Sequence, residues 1–499
     1  MEHIETMSDR PRLAAQAMVL RELPADLETP VSAFLKMGAN PPSFLLESVE
    51  RGEQLGRYSF MGANPYLDVQ TLGGQAIVQR QGRTTITALT ETHESGDPLH
   101  LVQTLLADRA RPAIPGLPRF SGGAVGYLGY DTVGFFEKLP QCPQDELQLP
   151  DSRFLFNNTL VIFDHVQHKI KVVSNPEPGI DAAVSNARAR QEVDNTVEKL
   201  ERPLPDNTQR RTHGSTTASP EPVSNLTRSE FTDMVERAKE YILAGDAFQI
   251  VLSQRLRRRT WADPFSIYRA LRMLNPSPYM FYLDFGGFQL IGSSPEMLVK
   301  QEDGIAETRP IAGTRPRGRT EEEDNALMET LLADPKERAE HTMLVDLGRN
   351  DIGRVSRFGT VRVPVLMTIE RYSHVMHIVS SVQGELDPGR NCFDLLRACF
   401  PAGTLSGAPK VRSMEIIAEL EQMKRGPYGG AVGYFGFDGN MDTCIAIRTI
   451  VMVGDTVYLQ GGAGIVADSD PGLEYEETLN KVQVLEEAVR LAESWKEPA

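Results

Sequence analysis

Two short runs of this sequence place carboxylates where a helix must begin. Asp334-Pro335 and Asp470-Pro471 each join a residue that caps free N–H groups to a proline whose fixed φ suits the first helical turn. The first run continues with Glu337 and Glu340, the second with Glu474, Glu477 and Lys481. Residues three or seven apart share a helix face, so each helix projects two carboxylates from one side. Like charges at that spacing cost stability unless something compensates. For either helix alone the helix dipole is compensation enough, and Lys336 and Lys481 could neutralise the patch. Two such helices in one chain admit a second chemistry. Four carboxylates with no thiolate among them suit a hard cation such as Mg²⁺, which takes one or two carboxylates and leaves its other positions to water and substrate oxygens.

Other chemistries are tested and fail. Gly462-Ala463-Gly464-Ile465-Val466-Ala467 fits the glycine pattern of a dinucleotide site. That pattern works only when a helix opens at the glycines. Here Asp468, Ser469, Asp470 and Pro471 intervene, so the helix starts after Asp470, and a loop of exposed N–H groups suited to a carboxylate is expected instead. No G-x-x-x-x-G-K-[ST] phosphate loop occurs. The cysteines, Cys142, Cys392, Cys399 and Cys444, show no metal-type spacing and suit a reduced, cytoplasmic setting.

The elements that must carry these groups follow from periodicity. Thr227 to Glu230 is a capping box, with Leu226 placed as a hydrophobic staple. Phe231, Met234, Val235, Ala238 and Ile242 recur at helical spacing, and Gly245 sits where a left-handed residue would end the helix. Ala247 to Leu256 then alternates as a strand, with Gln249, Val251 and Ser253 on one face; Arg257, Arg258 and Arg259 read as its solvated end. Arg202 to Asn225, rich in Pro, Ser and Thr without apolar periodicity, reads as a linker or exposed loop. It divides an N-terminal region, 1–201, from a C-terminal domain, 226–499. The whole chain has 499 residues, 40% hydrophobic and 24% charged, as a globular protein of a few domains would. Its net charge of −16 disfavours nucleic acid and anionic membranes. The least charged long stretch, Met273 to Pro295, holds three prolines and Asp284 and is no membrane span.

One decapeptide occurs twice. Gly122 to Asp131 reads GGAVGYLGYD and Gly429 to Asp438 reads GGAVGYFGFD, identical at eight of ten positions. Each half is expected to give an equivalent sheet edge to one pseudo-symmetric body. The alternation of strands and helices makes the class α/β or α+β, with large sheets flanked by helices.

Four long motifs carry a family resemblance. Pro310 to Gly318 (PIAGTRPRG), Glu340 to Asp351 (EHTMLVDLGRND), Pro401 to Lys410 (PAGTLSGAPK) and the GAGIV run from Gly462 resemble the chorismate-binding module, in family order. That family includes anthranilate, aminodeoxychorismate, isochorismate and salicylate synthases. The resemblance covers about Leu226 to Ala492, and Leu45-Leu46-Glu47-Ser48 and Gly56 to Phe60 resemble the N-terminal region of anthranilate synthase large subunits. It implies that Glu340 and Glu477 bind Mg²⁺ directly, with Glu337 and Glu474 acting through water. Tyr428, Arg448 and the backbone of Gly462, Ala463 and Gly464 would bind carboxylates, with Lys481 near the same anions. Gly313 and Thr314 would line the pocket. Glu296 would be the general acid that protonates the departing 4-hydroxyl, His377 would move protons in pyruvate elimination, and Thr404 would hydrogen-bond the substrate.

The branches of the family differ in their nucleophile. Water-adding members resemble one another in a lysine base on the strand where this chain has Gln249, which cannot deprotonate water. Aminodeoxychorismate synthases typically carry a nucleophilic lysine where this chain has Ala312, which forms no covalent bond. The resemblance therefore implies ammonia attacking C2 of chorismate, giving anthranilate and pyruvate. No cysteine sits in a Gly-x-Cys-x-Gly setting, so ammonia is expected from a separate glutamine amidotransferase subunit. Ser48 with Pro278, Tyr279 and Met280 resembles a tryptophan feedback site. The alternatives are aminodeoxychorismate synthase component I and a non-catalytic amino-acid-binding regulator.

Overall fold

Alternating apolar residues build the sheets of this protein. In the strand Tyr279–Asp284, Met280 and Tyr282 join one buried cluster while Phe281 and Leu283 join another, the period of two that sends neighbours to opposite faces. The structure, a computed structural model, describes residues 18–495 apart from 39, 49–55, 81, 94, 115, 141, 206–219 and 372–374. Among the described residues the strands form two twelve-stranded sheets. The path of the first runs from Val19–Pro24 to Val223–Ser224, and that of the second from Ile311–Pro316 to Arg83–Ala88.

Both sheets draw on both halves of the chain. In the first, Ser43–Glu47 lies antiparallel to Tyr279–Asp284, with Leu46 opposite Phe281. In the second, Gly123–Leu128 lies antiparallel to Ala431–Gly436, with Gly126 opposite Gly433. These last strands are the two copies of the repeated decapeptide. They were expected at sheet edges; they are instead direct neighbours inside one sheet, so the repeat pairs with itself about a local twofold. Glycine is required at its centre. A Cβ on Gly126 would lie 1.9 Å from the Arg153 carbonyl oxygen, and one on Gly433 2.1 Å from that of Asp442.

The layers run helix, sheet, sheet, helix. Between the sheets, Phe44, Phe60, Phe281 and Leu290 of the first pack with Val125, Tyr127, Leu155 and Val432 of the second. The helices Ala182–Glu201, Pro264–Leu274 and Pro471–Ser494 cover the outer face of the first sheet through residues such as Val193, Leu271 and Leu485. Pro98–Ala107, Pro335–Gly353 and Cys392–Cys399 cover the second through Leu99, Ile352 and Leu396. Each such side chain, fully buried, stabilises the fold by about 1.5–3 kcal/mol.

Local signals and structure agree closely around residue 227. Thr227 and Glu230 form the reciprocal capping box of the helix Arg228–Leu243, and Gly245 follows it at φ +88°. The next strand, Gln249–Arg259, runs past the expected end at Leu256. Arg258 is not solvated: it is buried, and its guanidinium donates to both carboxylate oxygens of Glu493, at 2.6 and 2.7 Å. Of the segment read as a linker, residues 206–219 lie outside the described residues; near its end Val223–Ser224 pairs with Leu256 and Arg257. Among the described residues no helix is long and apolar enough to cross a membrane.

Candidate active site

The chain crosses from one sheet to the other at Pro295 and Glu296, between the strands Gln289–Ser294 and Met297–Glu302. Glu296 therefore sits at the join, held by a bond from the Ile445 N–H to its carbonyl at 3.1 Å. Burial pushes its carboxyl up to about 8, against a hydrogen bond from Thr404 and the positive charge of Lys481. At neutral pH it keeps its proton, as a general acid must. The Thr404 hydroxyl donates to Glu296 Oε1 at 3.0 Å from the short helix Gly403–Ser406. Glu296, Thr404, Pro310, Leu344 and Leu347 line one small cavity.

His377 faces Thr314 across the strands Ile311–Pro316 and Val375–Glu385. Gly313, at φ +68°, makes the bulge between Ala312 and Thr314, and its carbonyl oxygen lies 3.0 Å from His377 Nδ1. A carbonyl only accepts, so Nδ1 carries the proton and Nε2 keeps its lone pair. The Thr314 hydroxyl adds a contact to Nδ1 at 3.1 Å, and burial lowers the imidazole pKa, so the ring is neutral near pH 7. Ala312 is buried and offers no nucleophile.

Arg448 lies close enough to Tyr428 for the two to interact. Arg448 holds φ at +49°, a conformation a non-glycine residue adopts only when its surroundings impose it. Burial lowers its pKa, and no carboxylate of the described residues pairs with its guanidinium, although Glu477 lies near enough to favour its charge. Burial pushes the Tyr428 phenol up to about 12. Its hydroxyl sits against Gly462, where a Cβ would come within 2.8 Å of it. Gly462, Ala463 and Gly464 were expected in a loop; they lie inside the strand Thr456–Ile465. The cause is pairing with Gln249–Arg259, Gly462 opposite Ser253 and Gly464 opposite Val251, in a place crowded on both sides. A Cβ on Gly461 would lie 2.6 Å from the Thr478 carbonyl oxygen of the covering helix, and one on Gly464 2.6 Å from Gln249 Nε2 of the next strand.

The acidic helices start where the sequence placed them. Asp334 accepts from the N–H groups of Lys336 and Glu337, and Asp470 from that of Leu473. Glu340 accepts a hydrogen bond from Gln249 Nε2 at 3.2 Å. Glu477 pairs with Lys481 at 2.6 Å, and Lys481 also donates to the Gly462 carbonyl at 2.9 Å. Burial raises the Glu474 pKa and Glu477 adds to the rise, while Lys336, from the other acidic helix, opposes it. The two helix starts thus feel one another. Glu337 is held at 3.0 Å by Arg315, which also grips Asp334 at 2.9 Å. Among the described residues no three His, Cys, Asp or Glu side chains stand together as a metal-binding group. The donor set itself is oxygen only, and Mg²⁺ needs no more than two protein carboxylates, so Glu340 and Glu477 fit it chemically.

Ser48, Pro278, Tyr279 and Met280 line a second cavity, between the sheets, where Met280 pairs with Glu47. It shares no lining residue with Glu296's cavity except Met297. Three ion-paired residues near the site had been missed from sequence: Arg315, Lys410 and Arg425. Lys410 was visible as the end of the PAGTLSGAPK motif, yet its bonds to Asp351 at 2.8 Å and the Cys399 carbonyl at 2.9 Å have no local signature.

The chain is similar to known proteins over most of its length. The family profile of chorismate binding enzyme matches residues 44–487. Anthranilate synthase component 1 of Acetivibrio thermocellus is 49% identical over 482 residues, covering 95% of each chain. The protein of the same name from Pseudomonas putida is 49% identical over 472 residues, 94% of each chain. The crystal structure of anthranilate synthase component I from Streptococcus pneumoniae TIGR4 superposes with a TM-score of 0.76 at 36% identity, over 93% of this chain and 98% of that one. The menaquinone-specific isochorismate synthase of Escherichia coli, at 19% identity and a TM-score of 0.71 over 95% of each chain, shares the fold.

Proposed function

The chain belongs to the chorismate binding enzyme family, and on that premise we propose that it is the synthase component of an anthranilate synthase, converting chorismate and ammonia to anthranilate and pyruvate. The observation that carries the choice of branch is that, among the described residues, the two positions where other branches carry a reactive lysine hold none. Ala312 is inert, Gln249 is a neutral amide bonded to Glu340, and Lys481 is engaged by Glu477 and the Gly462 carbonyl. Ammonia then attacks C2 of chorismate, the ring double bonds shift, and the C4–O bond breaks. Protonated Glu296, steadied by Thr404, gives its proton to the departing hydroxyl, which leaves as water.

In the second stage a base takes the C2 proton, that electron pair forms the last ring double bond, the C3–O pair leaves with enolpyruvate, which takes up a proton to become pyruvate, and the ring becomes aromatic. His377 suits the proton transfer, because its Nδ1 is tied to the Gly313 carbonyl, which fixes the ring's orientation, and burial keeps the imidazole neutral near pH 7. Arg448 and Tyr428 hold carboxylates of the substrate, with the Gly462–Gly464 backbone beside them. Glu340 and Glu477 would hold Mg²⁺, assisted through water by Glu337 and Glu474. When bound, the cation supplies positive charge to the substrate's ring carboxylate.

Ammonia comes from the amidotransferase component that a component 1 chain requires, in the cytoplasm. The cavity at Ser48, Pro278, Tyr279 and Met280 takes tryptophan as feedback inhibitor, in support of which it lies between the N-terminal and catalytic strands. Purified chain given chorismate, Mg²⁺ and an ammonium salt at alkaline pH tests the reaction. The expected product is anthranilate, read by fluorescence and mass. A mass matching aminodeoxychorismate or salicylate overturns the assignment.

A further inference from the structure

Arg425 is 1% exposed and stands on the turn that carries Tyr428, yet it has no part in the chemistry above. Its guanidinium fastens three separate segments. Nη1 donates to the Leu405 carbonyl at 2.7 Å, beside Thr404, and Nη2 to the Val251 carbonyl at 2.7 Å, on the Gln249 strand. Nε and Nη2 hold the Glu421 carboxylate at 2.9 and 2.6 Å, and Glu421 accepts in turn from the Ser253 N–H at 2.8 Å.

The fourth side of this hub comes from the N-terminal half. The Tyr130 ring lies under the Arg425 guanidinium, 4.6 Å from ring centre to carbon. The Tyr130 N–H donates to the Gly426 carbonyl at 2.8 Å, and Asp131 Oδ2 accepts the Gly426 N–H at 2.7 Å. The turn is thus gripped two residues before Tyr428. The repeated decapeptide supplies an internal comparison. Asp438 holds the place in the second copy that Asp131 holds in the first, but it accepts from the N–H and amide of Asn440, at 3.1 and 2.9 Å, within its own hairpin. One copy keeps its aspartate for a local turn, and the other sends it across to the catalytic half. A buried ion pair of this kind adds little net stability compared with apolar packing; what it fixes is geometry.

We propose that Asp131 and Arg425 are positioning residues, through which the N-terminal half sets Tyr428 and Thr404 in register with Glu296. The proposal rests on the active-site assignment made above. Asp131 also has a titration that a purely structural role would not report. Burial pushes its carboxyl up to about 6, against the bond from the Gly426 N–H and the charges of Lys424 and Arg425, with Tyr130, Cys142, Arg255 and Glu421 as the other ionisable groups around it. Its charged grip on Gly426 is therefore present above that pH and lost below it.

The test is steady-state turnover of chorismate with ammonium by the full chain, across pH, with melting temperature followed in parallel. Wild-type protein must first make anthranilate; if it does not, the functional assignment fails before any variant is judged. Asp131→Asn is expected to lower kcat about tenfold near pH 8, with KM for chorismate moving less than about threefold. The wild-type and variant kcat curves should converge below about pH 6, where the wild-type carboxyl is also neutral. Asp131→Glu should recover part of the loss, and Asp438→Asn should keep kcat within about twofold. A wild-type kcat in Asp131→Asn, a loss of the same size at every pH, or an equal loss in Asp438→Asn overturns the proposal. If the amide variant does not fold, the wild-type profile decides: a kcat flat through pH 6 overturns it, and a fall there that Asp131→Glu displaces supports it.

Discussion

Thr404 Oγ1 and Glu296 Oε1 lie 3.0 Å apart at the join of the two sheets, and the hydroxyl is the donor. A donor favours the charged carboxylate, so Thr404 works against the burial that raises the Glu296 pKa to about 8. As the proposed acid Glu296 acts only when protonated, so its own contribution is full below that value and is lost as pH rises through it. Removing the donor should lift the pKa further. Thr404→Val is expected to move the alkaline limb of kcat/KM upward by roughly one pH unit while lowering kcat about a hundredfold. Glu296→Gln should leave almost no turnover. An alkaline limb unmoved in the Thr404 variant would show that another group sets it.

The acidic helices lead to a prediction about metal. Gln249 engages Oε1 of Glu340 and Lys481 engages Oε1 of Glu477, and the Oε2 of each is the oxygen proposed to meet the cation. Glu340→Gln or Glu477→Gln is expected to cut turnover at least about a hundredfold and to weaken Mg²⁺ binding measured by calorimetry in the presence of chorismate. EDTA should abolish activity and Mg²⁺ restore it. Full activity in chelator would reduce these carboxylates to a structural role.

The cavity at Ser48 yields a prediction about control. Its walls come from the N-terminal strand at Glu47 and the catalytic strand at Met280, which pair directly. A ligand touching both can favour one packing of the halves over another, provided it binds the two packings with different affinity. Tryptophan should inhibit ammonia-dependent turnover, and Ser48→Phe, by filling the cavity, should raise the inhibitory concentration at least about tenfold with kcat little changed. Dose–response curves for parent and variant decide it; superimposable curves would remove tryptophan from this cavity.

Signals confined to one turn of helix proved legible in the sequence. The caps at Thr227, Asp334 and Asp470 lie where their residue types require, because a cap is satisfied by N–H groups two or three residues away. Side chains whose partners lie far along the chain were misread or unseen. Arg258 looked like a solvated strand end because Glu493, its partner, is on the last helix. The glycines at 462 and 464 looked like a loop because the strand they pair with and that crowds them, at Leu252 and Gln249, is about two hundred residues earlier in sequence. Arg425 shows locally only its spacing of four from Glu421, since its other bonds go to backbone carbonyls at Leu405 and Val251, and a carbonyl acceptor has no residue type to recognise.

The pairing of the repeated decapeptide with itself has a consequence for synthesis. When the ribosome has finished the first copy, Gly123–Leu128 has its neighbour Ser152–Asn157 close at hand, but its other side must wait for Ala431–Gly436. Ser43–Glu47 waits in the same way for Tyr279–Asp284. A nascent N-terminal half therefore carries two open, apolar strand edges, the feature that most readily recruits a wrong partner. Contacts so remote in sequence also form slowly. The polypeptide spends much of its translation in a state that needs shielding, and conditions that stall the ribosome between the two copies, or that thin the supply of chaperones, would cost the cell this enzyme through aggregation before any defect in catalysis was felt.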